Sequence, residues 1–306
     1  MNINTLAALG LCIALSTGSI SCGKTLYNFA KNSERGKAEL TEKSIRVGDH
    51  KIVYLEGGKG ETLLLVHGFG GDKDNWTRFA QQLAGRYHIV APDLPGFGDS
   101  TRLESAQYDI NTQTKRLKDF AEAVNLNKFH IAGNSMGGWI SANYAVKYPE
   151  DLITLTLMNA AGVNPPEKSE MVRMVEQGYN PLLVKNIKDY DRLMNFVFVT
   201  PPYVPGSIKE EFAQKAVKHR AFNDKIFKDL RERSPQMEKY LPRITVPALI
   251  IWGDTDRVLH VSSVKIFEQG IKNAKTYILK NCGHLPMIER PEETAEVFVN
   301  FISGKL

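Results

Sequence analysis

The run Gly133-Asn134-Ser135-Met136-Gly137 places a serine between two glycines, each two positions away. An apolar stretch that reads as a strand (129–132) precedes it, and a helical pattern follows from about Gly138. In a strand–turn–helix setting such a serine is lifted out of the sheet as an exposed nucleophile. Glycine at 133 and 137 fits, because a sharp turn brings backbones too close for a Cβ. A serine hydroxyl needs a base to take its proton. Of the 7 histidines, His50, His88 and His130 fall at or within strand patterns, His219 in a charged helical stretch and His260 at a helix start. His284 lies just past the last strand, where open α/β sheets place catalytic groups, and Gly283 and Pro286 favour a loop around it. The base needs a carboxylate to fix its tautomer. Asp254 and Asp256 both follow an apolar strand pattern, whereas the strand before the charged stretch ends in Asn159. The order is Ser135, then an aspartate, then His284, with both aspartates open. A developing oxyanion needs N–H donors. The amide after the nucleophile, Met136, is one, and the Phe69 amide in His67-Gly68-Phe69-Gly70-Gly71 is the other; His67 reads as a residue that holds this loop.

These residues need a frame, and the rhythm of the chain supplies one. Residues 44–56 read as a hairpin turning at Gly48-Asp49, and from there strand and helix patterns alternate to Asn159. Such alternation predicts a mostly parallel central sheet flanked by helices. Between 160 and 243 the strands stop and amphipathic helical patterns take over, with a loop at 200–207. That stretch holds 15 Lys and Arg against 11 Asp and Glu. Strand and helix patterns resume at 246 and close with a helix from Pro291. At about 150 residues per domain, a chain of 306 has room for two units or for one with an insertion. The pattern favours insertion: a core of 44–159 and 244–306, and a helical cap of 160–243 set in after the sixth strand.

Composition narrows the field further. With 42% hydrophobic and 24% charged residues the chain can bury a core, which excludes a disordered or low-complexity polymer. A net charge of +5 without a Lys/Arg-rich run gives no sign of nucleic acid as a partner. The cysteines, Cys12, Cys22 and Cys282, match neither a disulfide framework nor a zinc pattern. Residues 6–20 are uncharged and largely apolar, but short for a membrane span of about 20 residues. They fit a signal peptide covering 1–21, or an uncleaved anchor, followed by a linker over 22–43. Small residues before Cys22 make that cysteine a lipid-attachment candidate. The protein is expected to be exported, and either membrane-anchored or secreted.

The segments HGFGG, DLPGFGDS, GNSMGG, WGDTD and NCGHLPMIERPEE resemble, in order and spacing, the α/β-hydrolase superfamily from about residue 50 to the end. Within it, HGFGGDKDNW, GNSMGGWISANYAVKYP and NAAGVNPP are similar to the bacterial lipase and esterase group related to ABHD-type monoacylglycerol lipases. The resemblance implies an α/β-hydrolase fold. It implies Asp256 as the acid, Phe69 and Met136 as oxyanion donors, and the insert as a cap over an acyl pocket. No cofactor or metal is implied. The expected activity is hydrolysis of lipid esters through an acyl-enzyme, with Met171, Met174, Leu182, Leu183, Phe196 and Phe198 of the cap as candidate acyl contacts. Contact with a membrane surface through the N-terminus and the basic cap is a further expectation. Two other readings share the same residues: a C–C bond hydrolase of ring-cleavage products, and a slow hydrolase serving as a small-molecule receptor.

Overall fold

The computed structural model describes residues 19–306. The leader read over 1–21 lies outside the described residues as far as residue 18, and so does the Cys22 side chain read as a lipid-attachment point. Eight strands form one sheet: β1 (Leu40–Val47), β2 (His50–Gly57), β3 (Glu61–Val66), β4 (Tyr87–Pro92), β5 (Phe129–Asn134), β6 (Leu152–Met158), β7 (Ala248–Gly253) and β8 (Ala274–Leu279). Their spatial order is β1-β2-β4-β3-β5-β6-β7-β8. The β1–β2 and β2–β4 pairs are antiparallel and the rest parallel. All six residues of β5 and of β7 are buried. Helices cover both faces of these central strands, so β7 reads as an unbroken apolar run rather than an alternating one, whereas β5 buries the hydrogen-bonded His130 and Asn134 among its apolar residues. The edge strand β1 buries little more than Leu40 and keeps a polar face to solvent.

The helices of the core are α2 (Thr77–Gln81), α3 (Ile110–Ala123), α4 (Met136–Lys147), α9 (Ser263–Gly270), α10 (Pro286–Glu289) and α11 (Pro291–Ile302). One apolar cluster joins α3 and α4 to one face of the sheet, through Phe120, Ile140, Tyr144 and Ile131 among others. A second joins α2 and α11 to the opposite face, through Phe79, Leu65, Ile251 and Phe298. Between β6 and β7 run α5 (Glu170–Glu176), α6 (Ile187–Val197), α7 (Gly206–Lys218) and α8 (Arg220–Arg233). These helices carry the cap. A third, smaller cluster of Phe196, Val197, Phe198 and Val258, with Met171, Met174 and Leu182 packed on it, also takes in Leu285 and Ile288 beside the sheet's C-terminal end.

The stretch 22–43, read above as a linker, is built instead into a helix, α1 (Ser19–Lys37), and the start of β1. Long-range pairs hold α1 in place, and composition does not reveal them. The buried Arg35 donates to Asp74 Oδ2 and to Glu42 Oε2, each at 2.8 Å. Tyr27 is buried edge-to-face against Phe212 of α7, with ring centroids 5.1 Å apart. Beneath Arg35 lies Lys73, fully buried, whose ammonium donates to Asp93 at 2.8 Å and to Asp99 at 2.9 Å. Burial opposes the Lys73 charge, but Asp93, Asp72 and Asp74 outweigh it and raise its pKa. A buried charge stripped of its partner is costly. Lys73→Met is therefore expected to lower unfolding stability by about 3–5 kcal/mol in urea titrations. Adding Asp93→Asn should recover part of that loss, because the neutral amide needs no counter-charge.

Candidate active site

Ser135 separates β5 from α4 with φ 56° and ψ −119°, a conformation that costs a non-glycine residue about 1–3 kcal/mol. Hydrogen bonds on both sides hold it there. Its N–H donates to Met158 O at 3.1 Å, and its carbonyl accepts from Trp139 N at 3.1 Å and Ala161 N at 3.0 Å. Gly137 permits the tight approach: a Cβ at that position would fall 2.1 Å from Val66 O. The Met136 amide opens α4, whose N-terminus concentrates positive dipole charge.

Asp256 and His284 come together from the loops after β7 and β8, with His284 Nδ1 2.8 Å from Asp256 Oδ2. Both residues are buried. Asp256 Oδ1 accepts from the amides of Val258 at 2.8 Å and Leu259 at 3.1 Å. Its Oδ2 also accepts from Asn159 Nδ2 at 2.8 Å. Asp254 faces elsewhere: it accepts from the Thr255 hydroxyl and lies 3.6 Å from Lys280 Nζ. His284 is tied to the serine elbow through Asn134, whose Nδ2 donates to His284 O at 3.0 Å and to Met158 O at 3.1 Å.

Two residues of this arrangement escaped the sequence reading. Asn159 was noted only as the absence of a carboxylate at the end of β6, yet it supplies a donor to Asp256 from that same position. Asn134, between Gly133 and the serine, bridges the elbow to the histidine loop. The signal available for both was position, since each is an amide side chain at the C-terminal edge of a central strand.

His67 is buried, and its Nε2 accepts the Leu94 amide at 3.0 Å, which leaves Nδ1 to donate to Gly68 O at 2.7 Å. Burial pushes its pKa down, so the ring stays neutral and fixes the loop bearing Phe69. The Phe69 ring packs edge-on against Phe97 and against Phe227 of α8. Among the described residues, neither the Phe69 nor the Met136 amide is used in a hydrogen bond. His88 and His130 are bound to side chains of neighbouring strands, Glu56 and Thr154, away from the elbow. Burial also pushes the Cys282 thiol up to about 12, so it stays protonated.

A mostly parallel sheet, a strained serine at a strand–helix elbow and a histidine–aspartate pair on later loops define the α/β hydrolases. A family model described as alpha/beta hydrolase family matches residues 63–297, and the chain belongs to that family. It is 39% identical over 276 residues to Lipase 1 of Psychrobacter immobilis, spanning 88% of this chain and 86% of that protein. It is 30% identical over 274 residues to monoacylglycerol lipase ABHD6 of Bos taurus, spanning 85% of this chain and 81% of that protein. A crystal structure of a membrane phospholipase A, described as a bacterial virulence factor, superposes with a TM-score of 0.93 at 46% identity, covering 99% of this chain and 98% of that one.

The Asn159 contact yields a test. Hydrogen bonds to charged groups are worth about 1.5–3 kcal/mol. Asn159→Ala is therefore expected to lower kcat on a soluble ester by roughly 10- to 100-fold with KM little changed. An unaltered kcat would show that the two amides of 258 and 259 hold Asp256 unaided.

Proposed function

We propose that this protein hydrolyses carboxylic esters of lipids, with Ser135 as nucleophile, His284 as base and Asp256 as the acid that orients it. The observation that carries the reading is the 2.8 Å His284–Asp256 contact, anchored to the serine elbow by Asn134. Ser135 Oγ attacks the ester carbonyl while His284 Nε2 takes its proton. The amides of Phe69 and Met136 receive the oxyanion, the latter with the help of the α4 dipole. Asp256 stabilises the imidazolium, which returns its proton to the departing alcohol. Water, activated by the same histidine, then releases the fatty acid from the acyl-enzyme.

The substrate class rests on relatives named as lipases and on the cap's apolar residues. Phe196 and Phe198 are buried, with Met171, Met174 and Leu182 packed on them, directly over the loops that carry Asp256 and His284. A monoacylglycerol or a similar fatty-acyl ester suits such a surface. Neither the C–C hydrolase nor the receptor reading finds comparable support. Turnover of a p-nitrophenyl ester series from short to long acyl chains, with monoacylglycerol and phospholipid in parallel, is the decisive assay. Wild-type activity should fall by at least about 10³-fold in Ser135→Ala; full turnover by that variant would remove the serine mechanism.

The site of action we assign is a membrane surface, reached by export and held through the N-terminal leader, an uncleaved anchor or a lipid on Cys22. No helix of the described residues is long and apolar enough to cross a membrane. Surface contact has other support. Tyr203, on the proline-bounded loop between α6 and α7, is 88% exposed, and Phe29 of α1 is 57% exposed. A groove of about 640 Å³ between α6 and α7 sets Ile187 and Val217 among Lys185, Lys188 and Lys218, a lining suited to anionic lipid. Binding to phosphatidylglycerol vesicles is expected to weaken as salt rises. The triple variant Lys185→Glu, Lys188→Glu, Lys218→Glu should bind them less while hydrolysing soluble esters normally. Salt-independent binding would argue against a role for these lysines.

A further inference from the structure

The main chain at Gly283 and His284 has two hydrogen-bonding edges. Its carbonyls turn toward the core, where Asn159 Nδ2 donates to Gly283 O at 3.3 Å and Asn134 Nδ2 to His284 O at 3.0 Å. Its amides turn toward the cap. His284 N donates to Val197 O at 2.7 Å, and Gly283 N donates to Glu289 Oε2 at 2.8 Å. The other oxygen of Glu289 accepts from the amides of Val199 at 3.0 Å and Thr200 at 2.8 Å. One carboxylate therefore joins the amide edge of the histidine loop to the cap segment that leaves α6. The two chains lie so close that a Cβ on Gly283 would fall 2.5 Å from Val197 O.

We propose that Glu289 is a positioning residue that couples the placement of cap segment 197–200 to the placement of His284. The proposal rests on His284 being the base. Only an acceptor with two oxygens meets three amides that converge from two separate segments, and bonds to an ionised acceptor are about twice as strong as neutral ones. The core asparagines fix one edge of the His284 peptide. The other edge follows whatever the cap segment does, because both of its partners, Val197 O and Glu289, are bound to that segment or belong to it. A shift of the segment tilts the imidazole relative to Asp256 and Ser135. Such a shift acts on turnover more than on binding, since the acyl group need not touch Glu289.

The test uses a soluble short-chain p-nitrophenyl ester, so that lipid binding plays no part. Glu289→Gln keeps one acceptor oxygen and turns an NH2 group toward amide donors. Its kcat should fall about 10- to 100-fold, the cost of a misplaced catalytic group, with KM changed by less than about twofold. Val199→Pro deletes one donor on the cap side and leaves Glu289, Gly283 and His284 in place. It should lower kcat in the same direction, and the double variant should be no slower than the slower single one, because both break one connection. A wild-type kcat in Glu289→Gln, or single effects that multiply, would overturn the coupling while an inactive His284→Ala upholds the base. Should Glu289→Gln fail to fold, Val199→Pro decides alone, and an unaltered kcat overturns the proposal. Activity retained by His284→Ala would instead remove the base assignment on which the coupling stands.

Discussion

The contact between Asp256 Oδ2 and His284 Nδ1 joins two loops that share no covalent neighbour, and at 2.8 Å it tolerates little relative movement. Parallel pairing of β7 with β8 sets the two loops side by side. Beyond the strand ends the stitching continues, with Asp254 N donating to Leu279 O at 3.0 Å and Thr255 N to Cys282 O at 3.1 Å. Asp256 is then fixed by its own loop, through the amides of 258 and 259, without any help from the histidine. His284 is the more dependent partner. Its main chain is held by side chains at the ends of β5 and β6 and by the cap, so the sheet alone does not complete the site.

The strain at Ser135 has the same logic. A residue at φ 56° persists only where its surroundings over-determine it. The three main-chain bonds around Ser135 reach Met158, Trp139 and Ala161, so the ends of β6 and the start of the insert help to keep the elbow sharp. Asn134 and Asn159 extend this arrangement into side chains. An amide carries both donors and an acceptor, and Asn159 uses both, donating to Asp256 and Gly283 O while accepting the Gly253 amide at 3.4 Å. A carboxylate at 159 would have presented a second negative charge to Asp256. The asparagine supplies a donor instead.

Much of this was legible in the sequence, for identifiable reasons. The buried parts of β3 and β7 leave continuous apolar runs bounded by turn residues, and β5 and β6 are mostly apolar around His130, Thr154 and Thr156. The serine elbow announced itself through its glycines, and His284 through its place after β8. Asp254 and Asp256 could not be separated by composition, because two aspartates two residues apart on a loop differ only in where the loop turns them. Helix α1 was missed because what holds it is distant: Arg35 meets Asp74, 39 residues on, and Tyr27 meets the α7 residues Phe212 and Lys215. Residues 75–86 have helical apolar spacing, yet the helix they form is shorter than that spacing. A 3-10 turn at Lys73–Trp76, capped by Asp72, leaves only Thr77–Gln81 as α2.

Charge in the cap shows the same gap between sequence and surface. Its excess of lysine and arginine suggested one basic face, but several of these cations are spent internally. Lys215 donates to the Tyr27 hydroxyl at 2.9 Å and sits over that ring, which secures α1 to the cap. Lys225 donates to Ala106 O at 2.6 Å and fastens α8 to the core, and Arg257 of the core in turn binds Glu170 of α5 through two nitrogens. The cap is thereby bolted at several points, to α1, to the loop after β4 and to the loop bearing Asp256. Lys185, Lys188 and Lys218, by contrast, enter no ion pair among the described residues, and all three line the groove between α6 and α7. A net charge counted along the chain thus overstates what a surface can feel: part of it holds the cap to the core, while three lysines outside those contacts line one groove.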